Sequence, residues 1–303
     1  MSYLRDDKFI DIKCSSGIAG ELDFKVSTFP AGEEYVVLHG DVAIESIRHS
    51  DQAISVVVSL NSATSKEIMR ACLIADALKQ LNSDIYVKLS MSYVPYGRQD
   101  RVCKTGESFS LNFFADMIKL RFDFVEYIDP HSSITNDVFI VDERTLLNPF
   151  EQDHLDVYSV WYNKGFDPIK FSNLEFGSEE LVIAPDKGAF GRAQEFAHKF
   201  LDTDPIYMEK ERKDGKVIYH DSDELKHVGE GSTVWVVDDI CDGGATFISL
   251  AKELDKYNPS IKILVVSHGV FSNGLTELLE HYDVIYAMDN DFNRLKLENI
   301  FNK

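Results

Sequence analysis

The chain has 303 residues, 44% hydrophobic and 27% charged, the make-up of a globular protein with a substantial core in one large domain or two medium ones. A formal net charge of −20 argues against nucleic acid or an anionic membrane as a partner, and Cys14, Cys72, Cys103 and Cys241 are too widely spaced for a disulfide framework or a zinc site. No apolar run approaches the ~20 residues that span a bilayer, and the N-terminal stretch lacks the apolar core of a secretory leader, so the expected location is cytoplasmic.

Short β-like runs alternate with helical patterns, which predicts an α/β fold with mainly parallel sheets. Ile54–Leu60 reads as a buried strand, and Ser65–Leu81 as a helix with Ile68, Cys72, Ala75 and Leu78 on one face. Ile85–Met91 is the next strand. It runs into an irregular loop carrying Arg98, Arg101 and Lys104, ahead of a helix over Ser110–Leu120. Arginine forks suit polyphosphate, although by composition alone a solvated basic loop is the plainer reading. Phe124–Ile128 reads as a strand ending at Asp129 and His131, whose spacing of two puts both on one side of an extended segment, where they can hold a magnesium–phosphate assembly, although a satisfied structural histidine is the commoner outcome. Val138–Val141 reads as a further short strand. Asn148 and Pro149 then break the pattern, dividing the chain into domains 1–148 and 149–303.

The alternation restarts with strand Leu181–Ala184, helix Ala189–Leu201 and strand Ile206–Met208. The charged run Glu209–Gly215 leads into strand Val217–Tyr219 and reads as an exposed hairpin or flap. Strand Val234–Val237, helix Thr246–Tyr257 and strand Ile261–Val266 follow. Between the first two of these, an apolar run ends in Asp238 and Asp239, followed by Asp242, Gly243, Gly244, Ala245 and Thr246. Paired carboxylates accept hydrogen bonds from vicinal hydroxyls. Glycines let main-chain N–H groups approach a phosphate, and a helix N-terminus adds a favourable field. Three carboxylates against one turn repel each other unless hydroxyls or a cation are expected there. Cys241, inside this segment, reads as a small buried residue.

The segment 234–247 resembles the phosphoribosyl-diphosphate binding motif of the type I phosphoribosyltransferase fold, which serves transferases that consume this compound and ribose-phosphate pyrophosphokinases that make it. Other segments choose between the two. Tyr96–Arg101, YGRQDR, is similar to a pyrophosphokinase segment that transferases lack. Asp129–Ser132 is similar to that family's metal-side D-x-H, Ala184–Arg192 to its S-P-D-x-G segment, and Tyr207–Arg212 to its catalytic loop, with a Lys and an Arg two positions later. Phe29–Glu34, FPAGEE, is similar to its F-x-D-G-E segment, with Ala31 in the Asp position. The resemblance runs from about Phe29 to about Ser272.

It implies two tandem phosphoribosyltransferase-like domains, the first on the ATP side and the second on the ribose-phosphate side. The implied activity is transfer of the diphosphate of ATP to the anomeric hydroxyl of ribose 5-phosphate, releasing AMP. The implied ATP-binding residues are Phe29, Glu33, Arg98, Gln99, Arg101 and His131, with Phe29 and Glu33 lent by a neighbouring subunit of a homo-oligomer, dimer or hexamer. Asp186, Asp238, Asp239 and Asp242 to Thr246 would hold the ribose phosphate. Mg²⁺ would lie near Asp129, His131 and Asp186, and Lys210, Arg212 and His131 would be catalytic. One departure bears on the acceptor: the family's usual D-T-[G/A]-G-T loop has Gly243 in place of its first threonine. The lost hydroxyl weakens the hold on a terminal phosphate, or opens room for a 5′-phosphate esterified further, as in ADP-ribose. A non-catalytic regulatory subunit is the remaining alternative.

Overall fold

A computed structural model of the chain describes residues 10–15, 17–50, 54–60, 63–139, 179–213, 216–219, 223–288 and 294–298. Among these residues two compact units separate, one on each side of the stretch 140–178. The boundary expected near 148 lies outside the described residues.

The first unit runs β1 (Ile10–Cys14), β2 (Asp23–Thr28), β3 (Glu34–His39), α1 (Asp41–Arg48), β4 (Ser55–Leu60), α2 (Ser65–Leu81), β5 (Tyr86–Met91), α3 (Ser110–Lys119), β6 (Phe124–Tyr127) and α4 (Ile134–Phe139). Its main sheet has the order β1-β4-β5-β6, with β4, β5 and β6 parallel and β1 antiparallel at the edge. Strands β2 and β3 form a separate antiparallel hairpin. The core is built where sequence patterning placed it: Val56, Val58 and Leu60 of β4 alternate inward, and Ile68, Cys72, Ala75 and Leu78 of α2 are all buried against the sheet. Thr64 caps α2 by accepting a hydrogen bond from Glu67 N at 3.3 Å.

The second unit runs β7 (Glu179–Ala184), α5 (Phe190–Phe200), β8 (Ile206–Tyr207), β9 (Lys210–Lys213), β10 (Lys216–Tyr219), β11 (Ser232–Cys241), α6 (Ala245–Leu254), β12 (Ile261–Gly269), α7 (Thr276–His281), β13 (Val284–Met288) and β14 (Arg294–Glu298). Five strands, β13-β12-β11-β7-β8, are parallel, and β14 adds antiparallel at the β13 edge. Strands β9 and β10 form the hairpin expected from the charged run. Residues 232–237 of β11 are buried without alternation, as befits a strand covered on both faces. The architecture is α/β with mainly parallel sheets.

Two elements differ from expectation. The run from Val138 does not begin a strand: Val138 and Phe139 close α4, and residues 140–141 lie outside the described residues. Its β-branched and aromatic residues favour a strand locally, but Ser132 starts a helix by accepting from Ile134 N through its hydroxyl and from Thr135 N through its carbonyl. Strand β11 continues four residues past Val237, because β12 pairs with it as far as Cys241 and Gly269. The two aspartates are therefore held by the sheet and not by a loop.

Candidate active site

In parallel sheets ligands gather at the carboxyl ends of the strands. In the second unit the neighbours β7, β11 and β12 each deliver a segment there. From β7 comes Asp186, whose Oδ1 accepts hydrogen bonds from Gly188 N at 2.8 Å and Ala189 N at 3.1 Å. The turn it closes leads into α5, so this carboxylate is fixed before any ligand arrives.

From β11 come Asp238 and Asp239. The two carboxyl groups are sequence neighbours at the end of the strand, and Asp239 N donates to Asp238 Oδ1 at 2.8 Å. Burial pushes the Asp238 carboxyl well above the usual carboxylate range, and the charges of Asp239 and, to a smaller extent, Asp186 push the same way. The structure thus brings Asp186, Asp238 and Asp239 into one electrostatic group. Such repulsion is what a hydroxyl-bearing ligand or a hydrated cation relieves. Cys241 is buried; desolvation first, then the charges of Asp238 and Asp242, push its thiol up to about 12. It is a packing residue without thiolate reactivity.

Residues 242–246 turn directly into α6. Gly244 has φ of +81°, and a Cβ there would meet Leu278 of α7 at 3.2 Å, so both conformation and room demand glycine. No side chain caps α6. The amides of Gly243, Gly244 and Ala245 make no hydrogen bond among the described residues, leaving an anion-binding nest at a helix start. The loop is braced from outside the turn. Tyr219 Oη donates to Thr246 O at 3.3 Å, and Tyr282 Oη to Phe247 O at 2.9 Å.

The third segment, after β12, was not legible as functional. Val270 N and Phe271 N both donate to Cys241 O, at 2.9 and 3.0 Å, and Ser272 N donates to Asp242 O at 3.1 Å. Asn273 Nδ2 donates to Gly243 O at 3.0 Å. A Cβ on Gly243 would lie 3.0 Å from that same Nδ2 and 3.7 Å from Ser272 Oγ. The room expected above Gly243 is therefore already taken by a neighbouring loop. The available signal was the turn sequence Ser272-Asn273-Gly274 directly after a parallel strand.

In the first unit, the loop after β5 and the turn after β6 come together. A Cβ on Gly97 would lie 3.8 Å from His131 Cβ, an ordinary contact between the two segments, and 3.1 Å from Val94 O within its own loop. Asp100 joins them. It accepts a fork from Arg101, Nε to Oδ1 and Nη2 to Oδ2, both at 2.9 Å, and takes a further hydrogen bond from Ser132. The Arg101 guanidinium first, helped by Ser132, holds the Asp100 carboxyl below its ordinary value. Arg101, expected on ATP, thus spends part of its fork on Asp100. Arg98 and Gln99 lie in the same loop, Gln99 held by Tyr96 O and by its own carbonyl, which accepts from Leu111 N. Tyr96 and Asp129 both have positive φ, +62° and +39°, strain that clusters at this loop pair.

Phe29, Gly32 and Glu33 form the turn between β2 and β3: Phe29 N donates to Glu33 O at 2.7 Å, and the Phe29 ring is 52% exposed beside Tyr35. Arg70 of α2 clamps the hairpin through Glu34, donating from Nε at 2.7 Å and Nη2 at 2.6 Å. That clamp, chiefly Arg70 with Lys66 assisting, lowers the Glu34 carboxyl to about 2. Of the expected metal-side residues, Asp129 and His131 belong to the first unit and Asp186 to the second. No three His, Cys, Asp or Glu form a metal cage among the described residues. The main chain of Lys210 and Arg212 lies in β9; their side chains are outside the described set.

Comparison with known proteins gives this geometry its context. The model for the N-terminal domain of ribose phosphate pyrophosphokinase matches residues 16–120, and that for the phosphoribosyl transferase domain matches residues 168–294. The chain belongs to the ribose-phosphate pyrophosphokinase family. The ribose-phosphate pyrophosphokinase of Pyrococcus furiosus is 28% identical over 255 residues, covering 84% of this chain and 81% of the relative. That of Methanothermobacter thermautotrophicus is 28% identical over 264 residues, covering 85% and 82%. The fold of this pyrophosphokinase family member also matches the crystal structure of phosphoribosylpyrophosphate synthetase from Mycobacterium smegmatis, with a TM-score of 0.64 at 19% identity over 88% of this chain and 80% of that one.

Proposed function

We propose that this chain is a ribose-phosphate pyrophosphokinase that moves the β,γ-diphosphate of ATP onto the anomeric hydroxyl of ribose 5-phosphate. The observation that carries this reading is the Asp238–Asp239 pair, held at the end of β11 a few residues before an uncapped, amide-lined helix start. The pair suits the ribose hydroxyls, and the amides of residues 243–245 suit the 5′-phosphate.

In the reaction the anomeric oxygen attacks the β-phosphorus, the bond from that phosphorus to the bridging oxygen of the α-phosphate breaks, AMP leaves, and the hydroxyl proton passes to solvent. Such transfer rests on positioning and charge neutralisation more than on a strong base. Arg98, Gln99 and His131 hold ATP, with Arg101 oriented by Asp100. Lys210 and Arg212 neutralise charge that grows on the transferred group. Mg²⁺ would be carried chiefly by substrate oxygens, a mode that needs only one or two protein carboxylates, with Asp129 and His131 serving it on the ATP side and Asp186 on the ribose side. Bound Mg²⁺ supplies charge neutralisation of the polyphosphate. The proposal includes a cytoplasmic homo-oligomer in which Phe29 and Glu33 complete a neighbour's ATP site.

The test is to incubate the protein with ATP, Mg²⁺ and either ribose 5-phosphate or ADP-ribose and to identify the products by mass. AMP together with the 1-diphosphate of ribose 5-phosphate supports the reading. Product from ADP-ribose alone overturns the acceptor, and no AMP from either overturns the activity.

A further inference from the structure

We propose that Ser272 and Asn273, from the loop after β12, supply the phosphate donors that the family's threonine would have supplied at position 243; this rests on the ribose 5-phosphate reading above. Three observations support it. First, the loop is fixed to the phosphate turn by a ladder of bonds: Val270 N and Phe271 N to Cys241 O, Ser272 N to Asp242 O, and Asn273 Nδ2 to Gly243 O. Its backbone is committed to this position, with Phe271 at φ +47° and Gly274 at +79°. Secondly, the two side chains stand where position 243 would place its own. The point a Cβ would occupy is 3.0 Å from Asn273 Nδ2 and 3.7 Å from Ser272 Oγ. Thirdly, both retain donor capacity. One amide N–H of Asn273 is used on Gly243 O, the second has no partner among the described residues, and Ser272 Oγ makes no hydrogen bond among them.

A threonine at 243 would offer one hydroxyl. The loop after β12 offers a hydroxyl and an amide N–H beside the same free amides of residues 243–245. Glycine at 243 is then a requirement, since a larger residue would drive Asn273 off its bond to the Gly243 carbonyl. Positions 243 and 273 form a coupled pair, and the acceptor's terminal phosphate is bound by two loops.

The experiment measures KM for ribose 5-phosphate, KM for ATP and kcat at saturating Mg²⁺, with calorimetric binding of ribose 5-phosphate as a second readout. The variants are Ser272→Ala, Ser272→Thr, Asn273→Ala, Gly243→Thr and the double Gly243→Thr/Asn273→Ala. A hydrogen bond to a charged group carries roughly a tenfold effect or more, so Ser272→Ala and Asn273→Ala should each raise KM and Kd for ribose 5-phosphate about tenfold, with KM for ATP unchanged. Ser272→Thr, which keeps the hydroxyl, should stay near wild type. Gly243→Thr alone should weaken ribose 5-phosphate, and adding Asn273→Ala should recover it. Alanine variants with unchanged KM and Kd for ribose 5-phosphate overturn the proposal, as does a double variant no better than Gly243→Thr. A wild type that makes no product from ATP and ribose 5-phosphate overturns the underlying reading instead.

Discussion

Asp238 is a carboxyl group held in an unfavourable place. Its pKa is raised in the folded state by burial, by Asp239 and by Asp186. In the window between the ordinary carboxylate value and that raised value, the folded protein binds a proton that the unfolded chain has released. Stability contributed by this group therefore falls as pH rises through the window. Asp238→Asn removes the penalty, so the variant should melt at least ~2 °C higher than wild type at pH 7, and the gain should vanish in acid, where Asp238 is already neutral. The same variant should lose ribose 5-phosphate turnover. An unchanged melting temperature at pH 7 would falsify this account of the site's strain. In the proposed reaction Lys210 and Arg212 act on charge that develops only during transfer. Alanine at either should lower kcat by ~10²–10³ while leaving the Kd for ATP within a few-fold of wild type, a split that transient kinetics can separate from binding.

At the scale of elements, the β2–β3 hairpin depends on one guanidinium. Arg70 of α2 holds Glu34 with two short bonds and also binds Glu67 at 2.6 Å. The Glu34 pKa is depressed to about 2, so this anchor is fully present above the ordinary glutamate value and is lost as pH falls from there toward about 2. Arg70→Ala should speed amide exchange throughout residues 24–38 and raise KM for ATP by roughly tenfold, the size of one lost polar contact, with ribose 5-phosphate untouched. Unaltered exchange in the hairpin would show that the ion pair is ornamental. Helix α2 was legible end to end because Thr64 caps it and its apolar stripe keeps one period. The candidate motifs at Asp129, Asp186 and Asp238 were legible because each sits at a strand end, where charge breaks an apolar run. What stayed hidden was set by distant partners. The extension of β11 depends on its pairing with β12, the role of Asp100 depends on Ser132, and the loop at 270–274 acts on a turn thirty residues earlier in the chain. Helix α4 was hidden by local propensity, which reads Val138 and Phe139 as strand until the Ser132 turn is seen.

For the molecule as a whole, the proposed sharing of ATP sites between subunits makes a direct prediction. Phe29 stands exposed at a hairpin tip, and Arg212 lies in β9 of the other unit of the chain. If Phe29 serves a neighbour, mixing Phe29→Ser protein with Arg212→Ala protein should restore activity well above either alone, since some mixed assemblies hold one site with both residues intact. Two folded variants that co-assemble without recovering activity rule out a shared site. A last consequence lies in the tether between Tyr219 and Thr246. Tyr219 is paired across the hairpin with Lys210, and its hydroxyl rests on the carbonyl of the residue that closes the phosphate turn. The charged hairpin is thus tied by one hydrogen bond to the proposed seat of the acceptor's phosphate. If that tie passes occupancy of the seat to the hairpin, it guards against idle consumption of ATP: water should not replace ribose as the attacking group while no sugar is present. Tyr219→Phe should therefore leak, splitting ATP without acceptor faster than wild type does, in an amount that a phosphate-release assay reads directly.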